Sequence, residues 1–154
     1  MRFSGVAGLR YTMVYGKSRF RGVIMETAKI LVVDDDQEIR DSMRTILESR
    51  QYSVVTAASK SGGMEKAKTE KPDMFILDVM MDTWQDGFDM AQKLKQDPQF
   101  KDTPILMSTG IKEKTGIDFK SSVGDADWLP VDGFLEKPIQ PELMLAEVEK
   151  FLSK

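Results

Sequence analysis

The chain contains no cysteine and no histidine among its 154 residues. The first absence excludes disulfides and thiolate chemistry, and the second excludes a phosphohistidine formed on this chain. No apolar run approaches the roughly 18 residues that a membrane span requires, so no membrane partner is expected and a cytoplasmic location is. With 41% hydrophobic residues the chain fits one domain around a single core. It shows no internal repeat.

Acidic residues are missing from the first 25 positions, which hold Arg2, Arg10, Lys17, Arg19 and Arg21. The net charge is −3, so the remaining residues carry −8. A body that acidic repels DNA phosphates, and there is no helix-turn-helix or zinc-ligand pattern, so no direct DNA binding is expected and output is assigned to protein contacts. Residues 1–27 are read as an extension, disordered or upstream of a natural start at Met25, because they lack clear periodicity. Residues 28–154 are read as the folded domain.

What stands out is Asp34-Asp35-Asp36 directly after the apolar run Ile30-Leu31-Val32-Val33. Two unpaired carboxylates about 4 Å apart repel by roughly 4 kcal/mol at an effective dielectric near 20. Helix capping explains one of the three: Asp36 precedes Ile39, Met43, Ile46 and Leu47, the apolar stripe of a helix. A divalent cation is the simplest remedy for the rest.

Past residue 28, apolar runs alternate with amphipathic segments, the pattern of repeated βα units. The strands are read at 30–33, 53–57, 74–77, 105–108 and 134–135. The helix from Ser59 to Glu70 carries Gly62-Gly63 in its first turn, because glycine in a helix interior costs about 1 kcal/mol against alanine. Phe88, Ala91 and Leu94 give the next helix its apolar face, and Asp97-Pro98 ends it. Pro141 opens the last helix, with Leu145, Val148 and Leu152 facing the sheet.

Ligands of parallel α/β sheets bind at the carboxyl ends of the strands. Asp34 and Asp35, Asp78, Thr109, and Lys137 with Pro138 all fall there. Carboxylates suit Mg²⁺, which takes one or two of them together with phosphate oxygens and water. Asp78 is then free to attack phosphorus and form an acyl phosphate, with Lys137 and Thr109 stabilising the equatorial oxygens.

These segments, with Leu77-Asp78-Val79-Met80-Met81, Asp86-Gly87, Pro104-Ile105-Leu106-Met107-Ser108-Thr109-Gly110 and Glu136-Lys137-Pro138, resemble the receiver domains of two-component response regulators. The resemblance covers roughly residues 28–153. It implies a doubly wound, flavodoxin-like (CheY-like) five-stranded parallel sheet in the order 2-1-3-4-5, an order for which a protein of this family is itself a standard example. It further implies Asp78 as phosphoacceptor, Asp35 as a direct Mg²⁺ ligand, Asp34 as a ligand through water, and the Met80 carbonyl as another ligand. Lys137 and Thr109 would contact the phosphoryl group, and Thr109 with Phe134 would form the switch. The implied partners are a histidine kinase or phosphotransfer protein and a downstream protein target, in a stand-alone signalling domain that is not an enzyme in the ordinary sense.

The chain departs from the family pattern at three places. Phe134 stands where Tyr is common. Asp82 occupies the place of a usual Pro in a loop one residue longer, which also holds Trp84. The connection from Thr109 to Phe134 is enlarged and contains Gly116, Trp128 and Pro130; a short or distorted helix followed by a loop is expected there, with Trp128 packed on the body. Apolar Met80 and Ile111 beside the water path lead to the expectation of a long-lived phosphoryl group.

Two rivals share parts of this pattern. A Mg²⁺-dependent phosphohydrolase of the haloacid dehalogenase class would use Asp34 in an Asp-x-Asp signature, although Gln37-Glu38 and the lack of a late Gly-Asp-x-x-x-Asp motif count against it. A receiver-like interaction module independent of phosphorylation would keep the fold and lose the chemistry.

Overall fold

The computed structural model describes residues 2–4, 9–15, 21–83, 85–110 and 130–153. Its strands are β1 (Arg2–Ser4), β2 (Leu9–Tyr15), β3 (Arg21–Thr27), β4 (Lys29–Val33), β5 (Ser53–Ala57), β6 (Met74–Asp78), β7 (Ile105–Thr109) and β8 (Gly133–Glu136). Its helices are α1 (Gln37–Glu48), α2 (Lys60–Glu70), α3 (Asp86–Gln96) and α4 (Pro141–Leu152). The last five strands form one parallel sheet in the order β5-β4-β6-β7-β8. Counted from β4, this is the expected 2-1-3-4-5.

The central strands are apolar on both faces because both faces are covered. Ile30, Leu31, Val32 and Val33 have no exposed surface, and each contributes roughly 1.5–3 kcal/mol by burial. Leu31, Val33, Phe75, Leu77, Ile105 and Met107 face Ala67 of α2 and Met90, Ala91 and Leu94 of α3. Ile30, Val32, Met74, Ile76, Leu106 and Leu135 face Met43 and Leu47 of α1 and Met144 and Val148 of α4.

Local chemistry sets the helix starts. Asp36 caps α1, its Oδ1 accepting from Glu38 N at 2.9 Å and Ile39 N at 3.4 Å. Ser59 caps α2 through Gly62 N at 3.1 Å. Gly63 does more than tolerate a first turn: a Cβ there would lie 2.9 Å from both Val33 Cγ2 and Met90 Cε, so its hydrogen lets α2 sit close to β4 and α3. Pro141 occupies the first turn of α4.

The amino-terminal segment, read above as disordered or upstream of a natural start, carries three strands. Strands β1, β2 and β3 make an antiparallel sheet, with Leu9 to Tyr15 paired against Thr27 to Arg21. The physical reason is visible in β2 and β3, whose Tyr, Thr, Val and Ile residues favour extended backbone; the absence of helical periodicity was not an absence of strand content. The segment 111–129, including Ile111, Gly116 and Trp128, and also Trp84, lies outside the described residues.

Candidate functional site

Two strand ends bring the acidic residues together. Asp34 follows β4, Asp78 ends β6, and Asp35 stands in the turn leading into α1. One carboxylate oxygen from each lies within 4.8 Å of the others. Asp34 and Asp78 are buried, and Asp35 is exposed.

Lys137, just past β8, neutralises part of this charge. Its Nζ stands 3.0 Å from Asp34 Oδ2 and 3.2 Å from Asp78 Oδ1. The remaining contacts fix the carboxylates: Asp34 Oδ1 accepts from Asp36 N at 2.9 Å, and Asp78 Oδ1 accepts from Met80 N at 3.3 Å. Arg40 of α1 donates to the Asp34 carbonyl oxygen at 2.8 Å, tying that turn to the helix.

The electrostatics show incomplete compensation. Burial, then the Asp34 carboxylate, push the Asp78 pKa up to about 6 against the opposing pull of Lys137. Burial alone would lower the Lys137 pKa, but Asp78 and Asp34 outweigh it and hold the ammonium above its ordinary value. One ammonium therefore does not cancel three clustered carboxylates, and this donor set fits a hard divalent cation.

Thr109 ends β7 and is buried at the same edge, its carbonyl accepting from Lys137 N at 2.9 Å. Met80 is half-buried beside Asp78. Phe134, half-buried on β8, packs against the core shared with α2 and α3, on the opposite face from Leu135. The structure thus draws Asp34, Asp35, Asp78 and Lys137 into one cluster, puts Met80 and Thr109 at its border, and sets Phe134 apart from it.

Sequence reasoning missed what braces the loop after Asp78. Asp86 Oδ2 accepts from Thr83 N at 2.8 Å, and its Oδ1 pairs with Thr83 Oγ1 at 3.1 Å. The Thr83 backbone N–H is the first cause holding the Asp86 carboxyl below its ordinary pKa. Lys60 of α2 bridges Asp86 and Asp89, at 3.7 Å from each. The loop lacking proline is held by side chains instead, and the signal was the Thr-x-x-Asp spacing of Thr83 and Asp86.

Comparison with known proteins gives a consistent match. The response regulator receiver domain profile fits residues 30–149. The chain is 36% identical over 126 residues to the alkaline phosphatase synthesis transcriptional regulatory protein PhoP of Bacillus subtilis, covering 82% of this chain and 49% of that protein. It is 34% identical to the DNA-binding dual master transcriptional regulator RpaA of Synechocystis, with the same coverage. Among solved structures, the chemotaxis response regulator CheY4 of Vibrio cholerae superposes with a TM-score of 0.67 at 33% identity, covering 82% of this chain and 99% of that one.

The chain spans about half the length of the curated relatives it matches. One of them is named as a DNA-binding regulator, which overturns the exclusion of DNA contact drawn from net charge. The charge of one portion describes only that portion and says nothing of what the rest of such a protein contacts.

Proposed function

This chain belongs to the response regulator receiver domain family, and from that premise we propose that it accepts a phosphoryl group on Asp78 from a phosphohistidine donor. The donor is a histidine kinase or a phosphotransfer protein. In this reading residues 28–154 are the receiver, residues 1–27 an extension of it, and the setting is the cytoplasm. The observation that carries it is the Lys137 ammonium bridging Asp34 and Asp78 beside the Asp35 carboxylate.

An Asp78 carboxylate oxygen attacks phosphorus, forming the O–P bond as the donor P–N bond breaks and its electron pair leaves on the imidazole. Asp34, Asp35, Asp78 and the Met80 carbonyl would hold Mg²⁺, whose charge neutralises phosphoryl oxygens when bound. Lys137 leaves its Asp78 contact for the equatorial oxygens, because negative charge has moved outward from the carboxylate. Thr109 donates its hydroxyl to the same group, and Phe134 repacks on the α2/α3 side of the sheet in response. Hydrolysis by water then returns the carboxylate, so the domain promotes its own phosphorylation and dephosphorylation as a signalling element.

Incubation with acetyl phosphate, with and without Mg²⁺, followed by intact-mass measurement tests this. A Mg²⁺-dependent phosphoryl adduct on the protein and none on Asp78→Asn is expected. An unmodified protein under both conditions would contradict the reading and favour an interaction module without phosphorylation.

A further inference from the structure

The sheet row that carries Asp78 continues into β7. Asp78 pairs in register with Ser108, and Ser108 with Leu135. Residues paired in this way project to one face, and the neighbours Ile76, Leu106 and Leu135 all face α1 and α4. The Ser108 hydroxyl is therefore the next side chain beside the Asp78 carboxylate. It is fully buried, and its Oγ has no hydrogen-bond partner.

A sealed, unpaired hydroxyl is unfavourable, and most buried polar atoms avoid that condition. Lys137 explains the seclusion. It follows β8, yet its Nζ reaches Asp78 on β6, so its stem crosses β7. Gly110 leaves room for the crossing: a Cβ there would touch Lys137 Cβ at 3.8 Å. Lys137 holds Asp78 Oδ1, and the Ser108 hydroxyl makes no hydrogen bond to that carboxylate.

We propose that Ser108 is a further catalytic residue, whose hydroxyl donates to an Asp78 side-chain oxygen once Lys137 has moved to the phosphoryl group; this rests on the phosphoacceptor reading above. During hydrolysis water adds its oxygen to phosphorus, the O–P bond to Asp78 breaks with its electron pair staying on the carboxylate, and orthophosphate departs. The transition state is loose, so negative charge grows on Asp78 before the new bond is complete. A hydrogen bond to that oxygen strengthens as the charge grows, which lowers the barrier. The Ser108 proton is shared and never transferred.

The test uses the full chain and Ser108→Ala. Both are labelled with acetyl phosphate and Mg²⁺, freed of donor, and followed by intact mass, while urea unfolding is measured on the unlabelled forms. The variant is expected to lose its phosphoryl group about five-fold more slowly, the factor of one net hydrogen bond, and to unfold at a higher urea midpoint. Loss at the wild-type rate or faster overturns the proposal, as does a lower midpoint, which would mean the hydroxyl already had a partner. If the wild type takes no label, the phosphoacceptor reading fails and this inference with it, whereas labelling with equal decay overturns this inference alone.

Discussion

Gly87 lies against the backbone of Asp78: a Cβ on Gly87 would stand 2.2 Å from the Asp78 carbonyl oxygen and 2.8 Å from Val79 Cα. Gly87 N also donates to the Val79 carbonyl at 3.1 Å. The start of α3 is thus pressed onto the end of β6, and the main chain of Asp78 is fixed by that contact.

Because the atoms in the way are backbone, they cannot rotate aside. Gly87→Ala should destabilise the domain by about 2–3 kcal/mol, within the range of overpacked sites. A urea midpoint equal to that of the wild type would show that α3 can retreat freely.

Asp78 links stability to pH. Its folded pKa, about 6, lies above the ordinary 3.8, so the folded protein binds this proton more tightly than the unfolded chain does. The ionised carboxylate therefore costs stability above about pH 6, and that cost disappears as pH falls toward 4. Without metal, Asp78→Asn should be more stable than the wild type by about 1–2 kcal/mol at pH 7 after allowance for solvent screening. The gap should narrow by pH 5 in thermal melts; a constant gap would argue against a carboxylate destabilised by burial and by Asp34.

A divalent cation should relieve the same repulsion. At a Mg²⁺ concentration about 100-fold above its dissociation constant, binding adds about 2.7 kcal/mol to stability. Melting with Mg²⁺ and then with a chelator should show that gain, and Asp35→Asn should lose most of it. An undiminished gain in the variant would remove Asp35 from the proposed ligand set.

Much of this was legible in the sequence, for identifiable reasons. The central strands announced themselves because a parallel sheet covered on both faces needs uninterrupted apolar runs, and Ile30–Val33 and Met74–Leu77 supply them, whereas the short edge strand Gly133–Glu136 has no such run. Asp36 was readable as a cap because the stripe from Ile39 to Leu47 fixes where α1 begins. The convergence of Asp34, Asp78 and Lys137 was readable from their places at strand ends, but the direct ion pairs from Lys137 to both carboxylates were not, since they depend on the sheet order and side-chain reach. Gly63 read as part of a helix's first turn and Gly87 only as part of a family motif, whereas close approach of α2 and α3 is what requires them. Ser108 looked like one more strand residue; its isolation depends on which side chains fail to reach it, and no local pattern encodes that.

The most direct test of the central claim is to locate the phosphoryl bond. Protein labelled with acetyl phosphate and Mg²⁺ would be treated with borohydride, which reduces an aspartyl phosphate to homoserine, and then digested and sequenced by mass spectrometry. Homoserine at position 78 with Asp34 intact is predicted. Homoserine at position 34 would instead support an Asp-x-Asp phosphohydrolase and contradict the account given for Asp78.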